Sequence, residues 1–269
     1  MTAQVDAIIE RAGLGGHRQS FYPTRRRKWS EQKTGQKVGT VVAMVFGLGL
    51  LGLIIVALIM AVPAVGLVLL AFVLVLVWGN YYKSKRLARV NVGRELRIHE
   101  HGVAVVGTGG ASMAIFRWAE MSVLQNIVRH TRNGVHTHTT YAYTLSGPGM
   151  PTTQVNGGVV GTFHDPVTWG TEIQQQVTNA QLPPALAAVQ AGQVLTFGSF
   201  TVNAHGLTAG NKGVAWAEVQ QIKTERGFLS IKQQGRWLSL TSMPVSRIPN
   251  FFVFRTLADH LTESARGQR

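Results

Sequence analysis

Between Lys37 and Lys83, the sequence contains no Asp, Glu, Lys, Arg or His. A single membrane-spanning helix needs about 20 apolar residues, so this uncharged run over residues 38–82 is long enough for two. Pro63 lies near the middle of the run, and a proline interrupts a helix where it falls. We therefore predict a two-helix transmembrane hairpin that carries an attached soluble part. Because the turn at Pro63 has no polar residue, a re-entrant hairpin that does not reach the far side is the alternative.

Aromatic residues end the uncharged run at Trp78, Tyr81 and Tyr82. Trp and Tyr are enriched where a membrane meets water, so we predict an interfacial aromatic belt, with ordinary strand or loop residues as the alternative. The run is not a secretory signal peptide. It begins too far into the chain and does not end in a small-residue cleavage site.

Most of the net charge of +14 lies on the two sides of the run. Residues 18–37 contain seven Lys or Arg and one Glu, and residues 83–97 contain six and one. An excess of Lys and Arg marks cytoplasmic segments, so both flanks are predicted to be cytoplasmic. This requires an even number of crossings. The predicted protein is therefore a multi-pass protein of the plasma (inner) membrane with both termini in the cytoplasm.

The basic flanks are also predicted to contact the headgroups of an anionic inner leaflet, at about 1 kcal/mol per basic residue. These membrane-surface residues are Arg25, Arg26, Arg27, Lys28, Lys83, Lys85, Arg86 and Arg89. A nucleic-acid partner is not expected, because residues 98–269 carry only a small positive excess. The chain has no cysteine, which excludes disulfides and cysteine nucleophiles.

The segments that flank the hairpin are predicted to be a tail and a linker. Residues 1–37 form a polar, basic N-terminal tail, and residues 83–91 a basic juxtamembrane linker. Asp6–Ala12 has the spacing of a short amphipathic helix, with disorder of the tail as the alternative.

The first span contains small residues spaced at four, Gly39, Ala43 and Gly47. Small residues at this spacing let two helices approach closely. The second span of the same hairpin is the simplest partner for this face. A contact within a homo-oligomer is the alternative.

Beyond the linker, short alternating runs broken by Gly and Asn predict strands and turns. Asn133-Gly134 is a signal for a two-residue hairpin turn. Asp165 and Pro166 predict the start of a helix that ends near Thr178. Residues 181–193 then predict a short helical or extended connector. Strands resume at Val194, and the chain closes with an amphipathic helix over about residues 249–264.

An internal repeat divides the soluble region into two copies, residues 92–180 and residues 194–269. Each copy has His-Gly at a strand opening, then Trp-Ala-Glu, then a helix opened by proline. The residues predicted to be structural anchors of the repeat are Gly102, Trp118, Gly206 and Trp216. Each tryptophan is expected to bury on the order of 200 Å².

A strand meander closed by one C-terminal helix is the plan of the pleckstrin-homology (PH) superfold, and the two copies resemble bacterial PH-like domains. The residues that carry the resemblance are the His-Gly openings, the Trp-Ala-Glu turns and the helix start Ile248–Phe254. With its Leu14-Gly15 to Tyr22-Pro23 lead-in and its hairpin, the chain is similar to an actinobacterial family of unknown function. The resemblance implies a membrane helical hairpin plus a mainly-β region of two tandem PH-like domains, and no known activity.

Two candidate sites are interpreted as structural. The glycine-rich segment 107–112 lacks the Lys and the helix of a P-loop, so we predict a strand–strand turn. Only Arg117 and Lys212 lie near the first hairpins of the two copies, which argues against a specific phosphoinositide site. Around the Asn133-Gly134 turn, His130, His136 and His138 lack a carboxylate neighbour, so a polar strand face is preferred over a metal site.

The sequence shows no nucleophile constellation, and neither an enzyme nor a cofactor is predicted. The leading hypothesis is a membrane-anchored interaction or scaffold protein whose PH-like domains bind a protein partner of unknown identity. The alternative is a sensor of lipid or a small ligand, bound between the two domains or at the basic flanks.

Overall fold

The structure is a computed structural model that describes residues 2–24, 34–110 and 112–267. The chain divides into two compact units, which we call the sheet unit (Met1–Thr24 with Gly93–Arg269) and the helical unit (Arg25–Val92). The elements in chain order are α1 (Thr2–Arg11), β1 (His17–Phe21), α2 (Thr34–Ala61), α3 (Pro63–Val90), β2 (Glu95–His99), β3 (Gly102–Val106), β4 (Met113–Arg117), β5 (Ser122–Arg132), β6 (Val135–Gly147), β7 (Met150–Gly157), α4 (Pro166–Gln190), β8 (Leu195–Phe197), β9 (Phe200–Val202), β10 (Gly206–Ala209), β11 (Lys212–Ala215), β12 (Val219–Glu225), β13 (Phe228–Gln233), β14 (Thr241–Pro244) and α5 (Phe251–Gly267).

In the helical unit, only Val62 separates α2 from α3, and the two helices contact each other. Pro63 is the first residue of α3, a position where a proline costs no helical hydrogen bond. In the part of the chain that the structure describes, one helix, Pro63–Tyr82, is long and apolar enough to cross a membrane. The apolar stretch of α2, Val45–Ala61, is shorter. Among the described residues, the expected pair of spans is therefore matched by one helix of spanning length and one shorter apolar stretch.

The described glycines of α2 do not make the predicted close helix–helix contact, and the surroundings of Gly39 lie outside the described part of the structure. A Cβ atom added at Gly47, Gly49 or Gly52 would meet no described atom within 4 Å. The close approach is instead at Gly66, where an added Cβ would lie 2.6 Å from the Ile59 backbone nitrogen. Among the described glycines of the helical unit, Gly66, which follows the turn at Val62, is the one that lies against the facing helix.

The sheet unit combines helices with four antiparallel sheets and is mainly β. The first copy pairs strands in the order β1-β2-β3-β4, then β5-β6-β7, and ends in α4. The second copy pairs β8 to β11 in sequence, then β12-β13-β14, and ends in α5. Both copies thus consist of a four-stranded sheet, a three-stranded sheet and a closing helix.

The N-terminal segment belongs to the sheet unit, which differs from the predicted tail over residues 1–37. Strand β1 pairs antiparallel with β2, with Phe21 opposite Leu96. The helical unit is therefore inserted between the first two strands of the first copy, which begins well before residue 92. In the second copy, the corresponding strands β8 and β9 are joined by a tight turn at Gly198.

Helix α1 covers the outer face of the first sheet, which explains why this segment folds. Strand β3 reads Gly-Val-Ala-Val-Val and is buried on both faces, as expected only for a strand covered on both sides. One face packs in the main core, and Ala104 and Val106 on the other pack against Val5 and Ile9 of α1. Polar and apolar residues do not alternate in β3, and this is the sequence signal that a helix covers its outer face.

Helix α4 runs unbroken through the predicted connector over residues 181–193, although it contains Pro183 and Pro184. Each proline removes one backbone donor from the helix. Leu182 and Leu186, which flank the pair, pack against the main hydrophobic cluster and offset this loss. That cluster contains buried residues from both copies, so the two copies share one core.

Candidate functional site

An open cleft of about 960 Å³ lies between α1 and the strands β1 and β2. Its polar lining comes from α1, from the loop and strand that follow it, and from β2. The polar side chains are Asp6, Glu10, His17, Ser20, Tyr22, Glu95, Arg97, His99 and His101. We call this site the polar cleft.

Glu95 is the centre of the hydrogen-bond network in the polar cleft. Its Oε1 accepts hydrogen bonds from Ser20 Oγ (2.6 Å) and from Tyr22 Oη (3.0 Å). Its Oε2 forms an ion pair with Arg97 Nε at 2.8 Å, and Arg97 Nη1 also pairs with Asp6 of α1. Burial opposes ionisation of Glu95, but these hydrogen bonds outweigh it and lower the pKa of its carboxyl group. The network therefore ties α1 and β1 to β2 through an ionised carboxylate.

His99 is buried beside this network, with 5% of its surface exposed. Its Nδ1 lies 3.3 Å from the carbonyl oxygen of Gly15, and its ring meets the ring of His17 edge-on at 5.3 Å between centroids. Its Nε2 is buried and has no hydrogen-bond partner among the described residues. Burial is the main cause that lowers the pKa of His99, so the neutral ring is favoured.

Ser20 contacts both an imidazole and a carboxylate, at 2.9 Å from His17 Nε2 and 2.6 Å from Glu95 Oε1. The hydroxyl donates its proton to Glu95, so His17 acts as donor rather than as the base that activates a nucleophilic serine. Glu95, whose pKa is lowered, is a weak base. The polar cleft is thus arranged to hold charge and hydrogen bonds in place. Its excess of carboxylates also disfavours an anionic headgroup as ligand.

Acidification is expected to destabilise the sheet unit through His99 and Glu95. Both groups have a folded-state pKa below the ordinary value, so the unfolded state takes up protons first as the pH falls. The contribution of His99 is present above its ordinary pKa of 6.5 and is lost as the pH falls below it. That of Glu95 is lost below its ordinary 4.5. Thermal unfolding of the detergent-solubilised chain between pH 8 and pH 3 measures both steps.

The variant His99→Gln isolates the first of these steps, because glutamine does not titrate. We expect its melting temperature to change less between pH 7 and pH 5 than that of the parent chain. His205→Gln replaces an exposed imidazole and serves as the matched control. An unchanged pH dependence in His99→Gln would show that this ring does not favour the neutral form.

The repeat anchors occupy equivalent places in the two copies. Trp118 and Trp216 are buried, with 3% and 2% of their surfaces exposed. The indole of Trp118 donates to the carbonyls of His99 and Glu100 (3.2 and 3.1 Å), and that of Trp216 donates to the carbonyl of Asn203 (2.8 Å). The indoles therefore fill the core and also fix the turn that precedes the next strand.

The two anchor positions require glycine because the backbone of the neighbouring strand comes very close to them. A Cβ at Gly102 would overlap the carbonyl oxygen of Phe116, and one at Gly206 would overlap that of Val214. Both carbonyls belong to the neighbouring strand of the same sheet. Glycine at these positions lets the strand pair come together.

Asn250, which the repeat does not single out, joins the two copies. Its Nδ2 donates to the carbonyl of Met121 (3.0 Å) and to Gln181 Oε1 (2.7 Å). Its Oδ1 accepts from the backbone nitrogen of Val123 at 2.7 Å, and its own backbone nitrogen donates to the carbonyl of Val123 at 2.9 Å. Asn250 has a left-handed φ of +48°. An Asn between Pro249 and an apolar helix was the only sequence signal for this junction.

The predicted interfacial aromatic residues all lie on α3 and are exposed: Trp78 by 68%, Tyr81 by 56% and Tyr82 by 67%. Lys85 Nζ lies 4.5 Å from the ring centroid of Tyr81, a cation–π contact one turn further along the helix.

Most of the predicted membrane-surface cations cannot be placed by their side chains. The backbones of Lys83, Arg86 and Arg89 continue α3, and their side chains lie outside the described part. Residues Arg25, Arg26, Arg27 and Lys28 lie outside the described residues altogether. Their contact with anionic lipid remains a prediction.

The three histidines near the Asn133-Gly134 turn bind threonines. The rings of His130 and His138 stack at 4.4 Å, His130 Nε2 lies 3.0 Å from Thr140 Oγ1, and His136 Nε2 lies 3.0 Å from Thr139 Oγ1. Among the described residues, no group of three His, Asp or Glu side chains is placed to hold a metal ion. The glycine-rich segment near Gly109 forms the turn between β3 and β4.

The fold and the site define a class of protein with two copies of a two-sheet-and-helix plan, interrupted by an apolar helix of membrane-spanning length. The chain belongs to DUF6585, a family of unknown function whose family profile matches residues 1–266. No curated protein and no solved structure matches the chain. The expected membership of a family of unknown function is thereby confirmed.

Proposed function

We propose that this chain is a membrane-anchored, non-enzymatic interaction protein that displays two PH-like domains on the cytoplasmic face of a plasma membrane. The observation that carries the proposal is the repeated plan of four strands, three strands and a closing helix, with an apolar helical unit inserted in the first copy. Four plus three strands and a C-terminal helix is the order expected of a PH-like domain. Because the two copies share one core, they would present a single folded unit to a protein partner.

The proposed anchor is a hairpin in which both α2 and α3 cross the bilayer. Helix α3 has 20 residues of spanning composition, and the described apolar stretch of α2 has 17. Spanning helices use about 17–25 residues, and the uncharged sequence of α2 continues from this stretch back to residue 38. Insertion between two neighbouring strands also supports a hairpin, because the chain must return to the side from which it left.

A topology measurement tests the anchor. A cytoplasm-active reporter fused to the N-terminus and, in a second chain, to the C-terminus is expected to be active in both cases. A reporter active only outside the cytoplasm is expected to be silent at both ends. One terminus on each side would mean a single crossing and would remove the hairpin from the proposal.

The polar cleft is the observation that favours a second candidate function. In this function the chain is a sensor of a small polar ligand. The cleft has an open volume of about 960 Å³ and a buried imidazole nitrogen without a described partner. Purification from mild detergent separates the two functions. A stoichiometric protein partner supports the interaction protein. A co-purifying lipid or small molecule that is lost in Glu95→Gln supports the sensor.

A further inference from the structure

The hairpin formed by β5 and β6 extends beyond its own sheet. Strand β7 ends at Gly157, which pairs with Tyr141, so among the described residues no third strand lies beside the outer part of the hairpin. Residues 127–132 and 135–140 thus form a two-stranded arm about 20 Å long. Most of these residues are exposed, including Ile127 (46%), Val128 (40%) and Val135 (68%). An isolated two-stranded ribbon is marginally stable in water, so a surface that covers it would stabilise it.

The arm begins at the edge of the sheet unit where the chain departs for the helical unit. Antiparallel pairing of β1 and β2 places Thr24 and Gly93 at the same end of the first sheet. Thr24 donates to the carbonyl of Thr162 (2.7 Å) and accepts from Gly161 (3.0 Å), in the loop that follows β7. In the same loop, Gly158 lies against the backbone of Thr139, at the base of the arm.

The charged side chains of the arm are all positive. Residues 121–164 contain no Asp or Glu. Arg129 and Arg132 lie on the exposed arm, next to its apolar side chains. Exposed cations combined with exposed apolar side chains are the chemistry that binds an anionic lipid surface.

We propose that the arm is a second membrane contact, which docks its tip on the anionic bilayer that holds the helical unit. The arm lies at the edge from which the anchor departs, and its charge complements anionic headgroups. Arg129 and Arg132 would bind phosphate groups, while Val135 at the tip enters the headgroup layer. This contact deepens the proposed function, because it orients the platform relative to the membrane. It is distinct from the polar cleft and from the basic residues beside the spans.

The test uses the full chain in vesicles and exploits its lack of cysteine. Val135→Cys places a fluorophore at the arm tip. Met150→Cys places one at the opposite end of the same sheet, about 40 Å away along β6. With lipid-borne quenchers in anionic vesicles, quenching is expected to be severalfold stronger at residue 135 than at residue 150. The difference should shrink in neutral vesicles and at high salt.

Replacing Arg129 and Arg132 by glutamine is expected to weaken the contact about fivefold per arginine and to reduce quenching at residue 135. Unchanged thermal unfolding would show that these variants remain folded. Equal quenching at residues 135 and 150, or quenching that survives both replacements, would overturn the proposal. A fluorescence change that persists in detergent and grows with protein concentration would assign the arm to a second copy of the chain instead. The topology reporters are independent of these results. If the arm does not contact the membrane, the proposed membrane anchor is therefore unaffected.

Discussion

Replacing Trp216 by alanine is expected to destabilise the sheet unit by about 3–5 kcal/mol. The indole has 2% of its surface exposed, belongs to the core that both copies share, and donates a 2.8 Å hydrogen bond to the carbonyl of Asn203. Alanine leaves a cavity and an unsatisfied carbonyl at the same time. For a unit of this size, the loss corresponds to a melting temperature lower by roughly 6–20 °C.

The chain contains a matched control for this experiment. Trp237 has 94% of its surface exposed, so Trp237→Ala removes the same side chain without creating a cavity. We expect a change of about 0.5 kcal/mol or less for that variant in detergent. Comparable losses for the two variants would contradict the assignment of Trp216 to the core.

The second large effect is expected at Asn250. Asn250→Ala removes the side chain that bonds the carbonyl of Met121, the amide of Gln181 and the backbone nitrogen of Val123. It also places alanine at a φ of +48°. The unsatisfied groups and the strain together predict a loss of about 2–4 kcal/mol. Denaturant unfolding of the solubilised chain measures it. We further expect the two copies to lose part of their cooperativity, seen as a broader transition.

Asn133→Ala is the control for the backbone strain. Asn133 also has a left-handed φ, +52°, but lies at the exposed turn of the arm. That variant is expected to show only the strain, about 1 kcal/mol. If the two alanine variants lose equal stability, the hydrogen bonds between the copies contribute nothing measurable.

Local features of the sequence were sufficient to predict much of the fold. The Asn133-Gly134 turn, the helix cap at Asp165 and the turn around Gly109 depend on neighbouring residues, and the structure has each of them. The uncharged run likewise predicts apolar helices, because no soluble loop tolerates that composition. The repeat predicted which residues would occupy equivalent positions, since the same residue types pack in the same places in both copies.

Other predictions failed because they depended on distant parts of the chain. The predicted helix ends near Thr178 and is followed by a separate helical or extended connector, yet α4 continues to Gln190 because its apolar side chains pack in the shared core. The polar segment His17–Phe21 gives a weak strand signal, and it pairs with β2 across an insertion of more than 70 residues. Local propensity cannot reveal a partner so far away.

The sequence by itself determined that an apolar helical segment interrupts a duplicated, mainly-β chain, because composition and periodicity are local properties. Only the tertiary structure decided that the interruption lies between β1 and β2, and that α1 closes the outer face of the first sheet. It also decided that Glu95, Arg97 and Asp6 meet in one cleft, although Asp6 is separated from the other two by the whole helical unit. Pairing across that insertion is a matter of three-dimensional packing, and no spacing along the chain encodes it.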